Sequence, residues 1–263
     1  MCCQPPTQCD DIEKYFIQNI ELIKSAPKGL KNIGITGGEP TLLGDKLFEY
    51  IRIIREYLPD TSIHILSNGR IFKDADYTHK LKDAGGEKLF VGVPLHSDFI
   101  NDHNHIAGAE SAYEETITGL YNLASEEICI ELRIVINALN YTRLPQMAEF
   151  IFKNLTFVSW VALMGMEHIG YAIKNQSTIW IEPKQYSTQL ADATLYLSQV
   201  GIPVSIYNVP LCLLDKRVHK YACQSISDWK TLYLDECEMC SMRSDCCGLF
   251  ATSHRIFKGI KAL

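Results

Sequence analysis

Apolar positions along the chain keep two rhythms that alternate. Short continuous runs at Ile33–Ile35, Ser62–Leu66, Leu89–Leu95, Cys129–Ile136, Phe157–Met164 and Ile202–Tyr207 predict buried strands. Between them the apolar residues recur at helical spacing. Residues 10–26 form the first such segment, with Ile12, Phe16, Ile20 and Ile23 on one face and Asp10/Glu13 at capping-box spacing. A second helix buries Leu47, Ile51 and Ile54, and a third, 74–84, stops at Gly85-Gly86. A connection rich in His, Asp and Asn (98–108) leads to helix 112–124, opened by a Ser111/Glu114 capping box. Pro145 sits in the first turn of a helix that buries Met147, Phe150 and Ile151, and Pro183 starts a long helix that Gly201 ends.

Strand and helix alternate at about 25–35 residues, the size of repeated βαβ units. Nearly every strand is apolar on both faces, which predicts a parallel sheet covered by helices. Polar residues recur at the carboxyl ends of the strands: Glu39, Ser67 and Asn68, His96 and Ser97, Glu167. A barrel, or part of one, gathers such ends around one mouth; an open doubly wound sheet is the runner-up. Regular alternation ends near residue 205, so a barrel over 1–204 and a cysteine-rich region over 205–263 are expected.

The most informative stretch is Ile33-Gly34-Ile35-Thr36-Gly37-Gly38-Glu39-Pro40. Gly37 and Gly38 permit a sharp turn and close approach of a ligand to the main chain. Glu39 puts an anion where α/β sheets bind ligands, and Pro40, lacking an N–H, ends the strand. A plain turn with a solvated glutamate is the competing reading.

Composition narrows the class. A net charge of −6 argues against a nucleic-acid footprint, and no apolar run approaches a membrane span. No signal peptide is evident, so a cytoplasmic location is expected. Clustered thiols in a reducing compartment point to metal or redox chemistry rather than disulfides. The ten are Cys2, Cys3, Cys9, Cys129, Cys212, Cys223, Cys237, Cys240, Cys246 and Cys247. Cys237, Cys240 and Cys246 lie within ten residues and can converge on one metal or cluster. Cys212 is the preferred fourth ligand, with Cys223 or Cys247 behind it, and spacing alone leaves zinc and iron–sulfur both open. Cys129 reads as a buried small hydrophobe.

These pieces resemble a radical S-adenosylmethionine (SAM) enzyme. Gly37–Pro40 match the Gly-Gly-Glu-Pro that ends the family's second strand, Ser67-Asn68-Gly69 its third-strand end, and Val91–Leu95 its fourth strand. The finer similarity is to the His-Xaa-Ser system maturases of the HxsC type. Met1-Cys2-Cys3-Gln4-Pro5-Pro6 resembles their cluster loop, and Ser225–Lys230 with Cys237, Cys240 and Cys246 resembles their C-terminal half. The resemblance implies a partial (β/α)6 TIM-like barrel lacking its first strand, with a cysteine-rich cluster-binding extension. It implies an N-terminally shortened chain in which Cys2 is the third cysteine of the loop. The SAM-binding [4Fe–4S] cluster would then be incomplete and this chain inactive as written. A divergent site made by Cys2, Cys3 and Cys9 is the alternative.

By the same resemblance Gly37, Gly38 and Glu39, with Pro40 ending the motif, receive the SAM amino group. Ser67, Asn68 and Ser97 contact its ribose or carboxylate, Arg133 pairs with the carboxylate, and Met164 and Gly165 lie near the adenine. The competing role for Arg133 is an ion pair with Glu131 or a neighbour. Solvated loops are the expected place of His96, His103 and His105, while Glu167 and His168 stand where substrate contacts belong. No catalytic residue is assigned. Cys212, Cys237, Cys240 and Cys246 would bind an auxiliary [4Fe–4S] cluster. The implied activity is reductive cleavage of SAM to a 5′-deoxyadenosyl radical that modifies a ribosomally made peptide of the His-Xaa-Ser type. Partners implied are that peptide, a second maturase and a flavodoxin- or ferredoxin-like electron donor, with no nucleic acid and no membrane. Two other readings compete: an incomplete barrel serving as a peptide-binding or partner module with a structural zinc site, and a radical SAM enzyme of another pathway.

Overall fold

Parallel pairing dominates the computed structural model, which describes residues 12–224 and 228–263. Cys2, Cys3, Cys9, Asp10 and the stretch 225–227 lie outside the described residues. The chain forms two compact units, one running through Pro94 and taking in Ser111–Glu131, the other holding Leu95–Glu110 and Leu132–Leu263.

The first unit opens on α1 (Ile12–Ser25), then β1 (Asn32–Ile35), α2 (Asp45–Tyr57), β2 (Ser62–Leu66), α3 (Ala75–Gly85) and β3 (Leu89–Pro94). Leu47, Phe48, Ile51 and Ile54 fall on one stripe of α2 and are buried. Each contributes about 1.5–3 kcal/mol by leaving water. Gly86 ends α3 with φ 65°, its N–H donating to Lys82 O, as the double glycine predicts. β1 pairs parallel with β2, and β2 with β3.

The chain then passes through α4 (Ile100–Ala107) in the second unit and returns for α5 (Ala112–Ser125) in the first. α4 occupies the segment read as a connection, because His103 and Ile106 bury one face of it. The Ser111/Glu114 capping box does not form: no side-chain bond caps α5, although Glu115 N donates to Ser111 O.

β4 (Cys129–Val135) begins in the first unit and finishes in the second. α6 (Leu144–Asn154), β5 (Trp160–Met164), the one-turn α7 (Tyr171–Lys174) and α8 (Gln176–Ile179), α9 (Pro183–Gln199), β6 (Val204–Tyr207) and β7 (Ala222–Cys223) follow. A hairpin of β8 (Thr231–Leu232) and β9 (Leu249–Phe250) encloses the last cysteines in sequence. β5 pairs parallel with β6, and β6 with β7.

Strand order in the main sheet is β1 through β7 without a reversal. A doubly wound sheet must reverse at a switch point, so this order selects the barrel type of progression. Burial on both faces does not hold for the first two strands: β1 buries only Ile35. β2 alternates, with Ile63 and Ile65 buried and Ser62, His64 and Leu66 half-buried, so it is packed on one face only.

Candidate functional site

The Gly-Gly-Glu-Pro turn leaves β1 and stops at a short 3-10 turn, Pro40–Leu43, whose N-cap is Glu39. The Glu39 carboxylate is the centre of a hydrogen-bond staple. Its Oε1 accepts from Thr41 N (3.2 Å), Thr41 Oγ1 (2.7 Å) and Ser67 Oγ (2.8 Å), and its Oε2 from Asn68 N (2.7 Å). Glu39 therefore ties the end of β1 to the end of β2. Oε1 is saturated, while Oε2 takes one donor and keeps acceptor capacity. Tyr77 supports the turn by donating to Thr41 O (3.4 Å), and burial, then the charge of Glu39, pushes its phenol up to about 12.

Gly37 and Gly38 correct part of the sequence argument. Neither has a positive φ, so the turn does not require glycine. A Cβ built on either meets no atom of the chain within 4 Å, and both residues are exposed. What remains is room for a ligand against the bare main chain. Two other glycines are demanded by the fold. Gly69 has φ 81° and faces Val93, and a Cβ at Gly165 would stand 2.5 Å from Asn208 O.

Ser67 and Asn68 thus join the Glu39 staple, and Ser67 Oγ also accepts from Gly69 N at 3.1 Å. On the half-packed face of the same unit, His64 Nε2 stands 2.9 Å from the buried Glu131 Oε2. That pairing was not legible, since no spacing links a histidine and a glutamate on separate strands. Thr41 was within reach of sequence reasoning: a hydroxyl two residues after a turn carboxylate is a local capping pattern.

Ser97, Arg133, Met164 and Gly165 belong to the second unit. Ser97 is fully buried and its Oγ accepts from Phe99 N (3.1 Å), so it shapes the turn into α4. Leu95 N donates to Arg133 O, Ile136 N to Met164 O, and Gly165 N to Tyr207 O, which sets these residues at successive strand ends. His96 and His103 are not the solvated loop groups expected. His103 Nδ1 accepts from His96 N (3.3 Å), the rings lie 5.1 Å apart, and burial pushes their imidazoles down to about 3 and about 4. Glu167 and His168 are held by the C-terminal segment: Thr252 Oγ1 donates to Glu167, and His168 N to Ser253 Oγ (3.1 Å).

Cys212, Cys237, Cys240 and Cys246 line one concavity; Cys129, Cys223 and Cys247 do not. Cys246 Sγ accepts from Leu211 N and Gly248 N, each at 3.4 Å, and Cys240 Sγ from Leu263 N at 3.4 Å. A hydrogen bond from Cys247, reinforced by those N–H groups, brings the Cys246 thiol down to about 6. Burial raises Cys212. Among the described residues no three His, Cys, Asp or Glu side chains close on a single-ion position. Four thiols on one concavity are a donor set that suits zinc or an iron–sulfur group.

Successive parallel βα units in unbroken strand order, with polar turns at the strand ends, define the protein as a partial TIM-like barrel. Residues 3–151 match the family model of the Radical SAM superfamily, and the chain belongs to that family. Members use SAM and a [4Fe–4S] cluster. The chain is 25% identical over 230 residues to a GTP 3′,8-cyclase of Campylobacter jejuni, covering 83% of this chain and 66% of that protein. It is 27% identical over 216 residues to an Fe-coproporphyrin III synthase of Methanosarcina barkeri, covering 79% and 52%. In fold it is similar to native anSMEcpe with bound AdoMet and Kp18Cys peptide (TM-score 0.57, 15% identity, 78% of this chain and 60% of that one). The chain thus spans just under two thirds of the cyclase's length and about half of the synthase's. No helix among the described residues is long and apolar enough to cross a membrane.

Proposed function

We propose that the protein is a radical SAM maturase acting on a ribosomally made peptide, with a second [4Fe–4S] cluster held by Cys212, Cys237, Cys240 and Cys246. The observation that carries this reading is the thiol-lined concavity in a chain whose first half belongs to the Radical SAM superfamily. Bound SAM and its cluster supply a carbon-centred radical that abstracts hydrogen from the substrate. The chain's own residues position and shelter that chemistry. The Glu39 staple fixes the bare backbone at Gly37 and Gly38, where an ammonium group finds carbonyl oxygens and the remaining lone pair of Glu39 Oε2. Ser67 and Asn68 act through Glu39. Arg133 supplies a bidentate cation for a carboxylate.

Cys212, Cys237, Cys240 and Cys246 would hold the second cluster by four thiolates, and it would supply electron transfer with a flavodoxin- or ferredoxin-like partner. The peptide class is supported by the similar fold of anSMEcpe with its peptide. The HxsC-type refinement, with its second maturase, rests on the resemblance of Met1–Pro6, of Ser225–Lys230 and of Cys237, Cys240 and Cys246. A nucleotide substrate is the second reading, favoured by the likeness to GTP 3′,8-cyclases.

The test is anaerobic reconstitution of the full gene product with iron and sulfide, then incubation with SAM and dithionite. Formation of 5′-deoxyadenosine, raised by a His-Xaa-Ser peptide and not by GTP, is the expected result. Stimulation by GTP alone transfers the assignment to the nucleotide class. Colourless zinc protein that leaves SAM intact overturns the enzyme reading in favour of a binding module.

A further inference from the structure

One of the N–H groups aimed at the thiols comes from residues 258–263, a segment which no sequence pattern had marked. Ile260, Lys261 and Leu263 form part of the wall of the concavity. Leu263 N donates to Cys240 Sγ at 3.4 Å. The segment is pinned at both ends. Leu263 O accepts from Ser241 N (3.1 Å) and Ser241 Oγ (2.7 Å), beside Cys240. At its start Lys258 N donates to Glu182 Oε2 (3.0 Å) at the head of α9, and Phe257 stacks on Trp180 at 5.4 Å.

We infer that residues 258–263 are the closing wall of the thiol pocket, whose Leu263 N–H orients Cys240 and tunes the group the pocket holds. The inference rests on the reading of this pocket as a cluster site. Its physical basis is simple. A cluster gains negative charge on reduction, and N–H groups directed at its sulfurs stabilise that charge, raising the potential. The apolar side chains of Ile260 and Leu263 keep water from the same sulfurs, a second lever on the potential. Cys246, which draws its donors from Leu211 and Gly248 instead, is independent of the segment.

Substitution by proline removes an N–H at one position. Leu263→Pro is compared with Leu263→Met, which keeps the N–H and the side-chain character. Both are made in the full chain carrying Cys2→Ala, Cys3→Ala and Cys9→Ala, so that only the C-terminal thiols load. Reconstituted iron and sulfide are counted, and the midpoint potential is read by redox titration followed by electron paramagnetic resonance. Leu263→Pro is expected to shift the potential downward, and Leu263→Met to leave it in place. A loaded cluster with the same potential in both variants overturns the inference while leaving the cluster reading intact. Failure of the parent protein to assemble iron and sulfide sinks the cluster reading instead. The wall is then judged by alkylation of the protein as purified: faster labelling of Cys240 in Leu263→Pro than in Leu263→Met upholds it, and equal rates overturn it.

Discussion

Glu39 works through geometry more than through charge. Three donors on Oε1 and one on Oε2 fix its orientation, and all of them are N–H or O–H groups. Glu39→Gln would turn an amide NH2 toward donors, and the backbone N–H groups of Thr41 and Asn68 cannot rotate away. A loss of about 1–3 kcal/mol in urea unfolding is expected. The glycines divide by cause. Gly37→Ala and Gly38→Ala meet nothing in the chain, so stability should stay within about 0.5 kcal/mol while SAM affinity, read by equilibrium dialysis, falls. Gly165→Ala sets a Cβ 2.5 Å from Asn208 O and should cost about 1–3 kcal/mol in the same unfolding assay. The motif was legible as residue types, since strand, glycines, carboxylate and proline each had a use. The staple was not, because Ser67 and Asn68 are 28 and 29 residues away from Glu39.

Among the elements, strands and long helices followed from apolar period alone, whereas α4 did not. Its polar face (Asn101, Asp102, Asn104, His105) dominates the composition of 98–108, and only His103 and Ile106 are buried. Burial there has a pH consequence. His103 binds a proton near 6.5 when unfolded but only near 4 when folded, so between those values the unfolded state holds more protons. Its contribution is complete above about pH 6.5 and is lost as pH falls toward 4, by roughly 1.4 kcal/mol per pH unit. His96, lowered by burial and by His103, adds in the same direction. His103→Asn keeps an acceptor for His96 N and removes the titration. Denaturant unfolding between pH 7 and 5 should therefore show a shallower fall in that variant than in the parent.

For the whole molecule, alternation at βαβ length and polar strand ends anticipated a barrel progression, and the unbroken strand order bears that out. The C-terminal thiols were legible as a group, and Cys212, Cys237, Cys240 and Cys246 line one concavity. Their enclosure was not, for the N–H donor of Leu263 is a backbone group that carries no signature in residue type. Because four thiols share the site, Cys237→Ser with Cys240→Ser should abolish its iron and sulfide in elemental analysis. The same pair should leave the circular dichroism of the βα units unchanged.

The stapled turn after β1 has one more corollary. Its backbone surrenders conformational freedom when the chain folds, since Thr41, Ser67 and Asn68 already lock the carboxylate that ends it. A small cation arriving beside Gly37 and Gly38 then finds a seat needing little additional ordering, and the entropic penalty of capture is correspondingly slight.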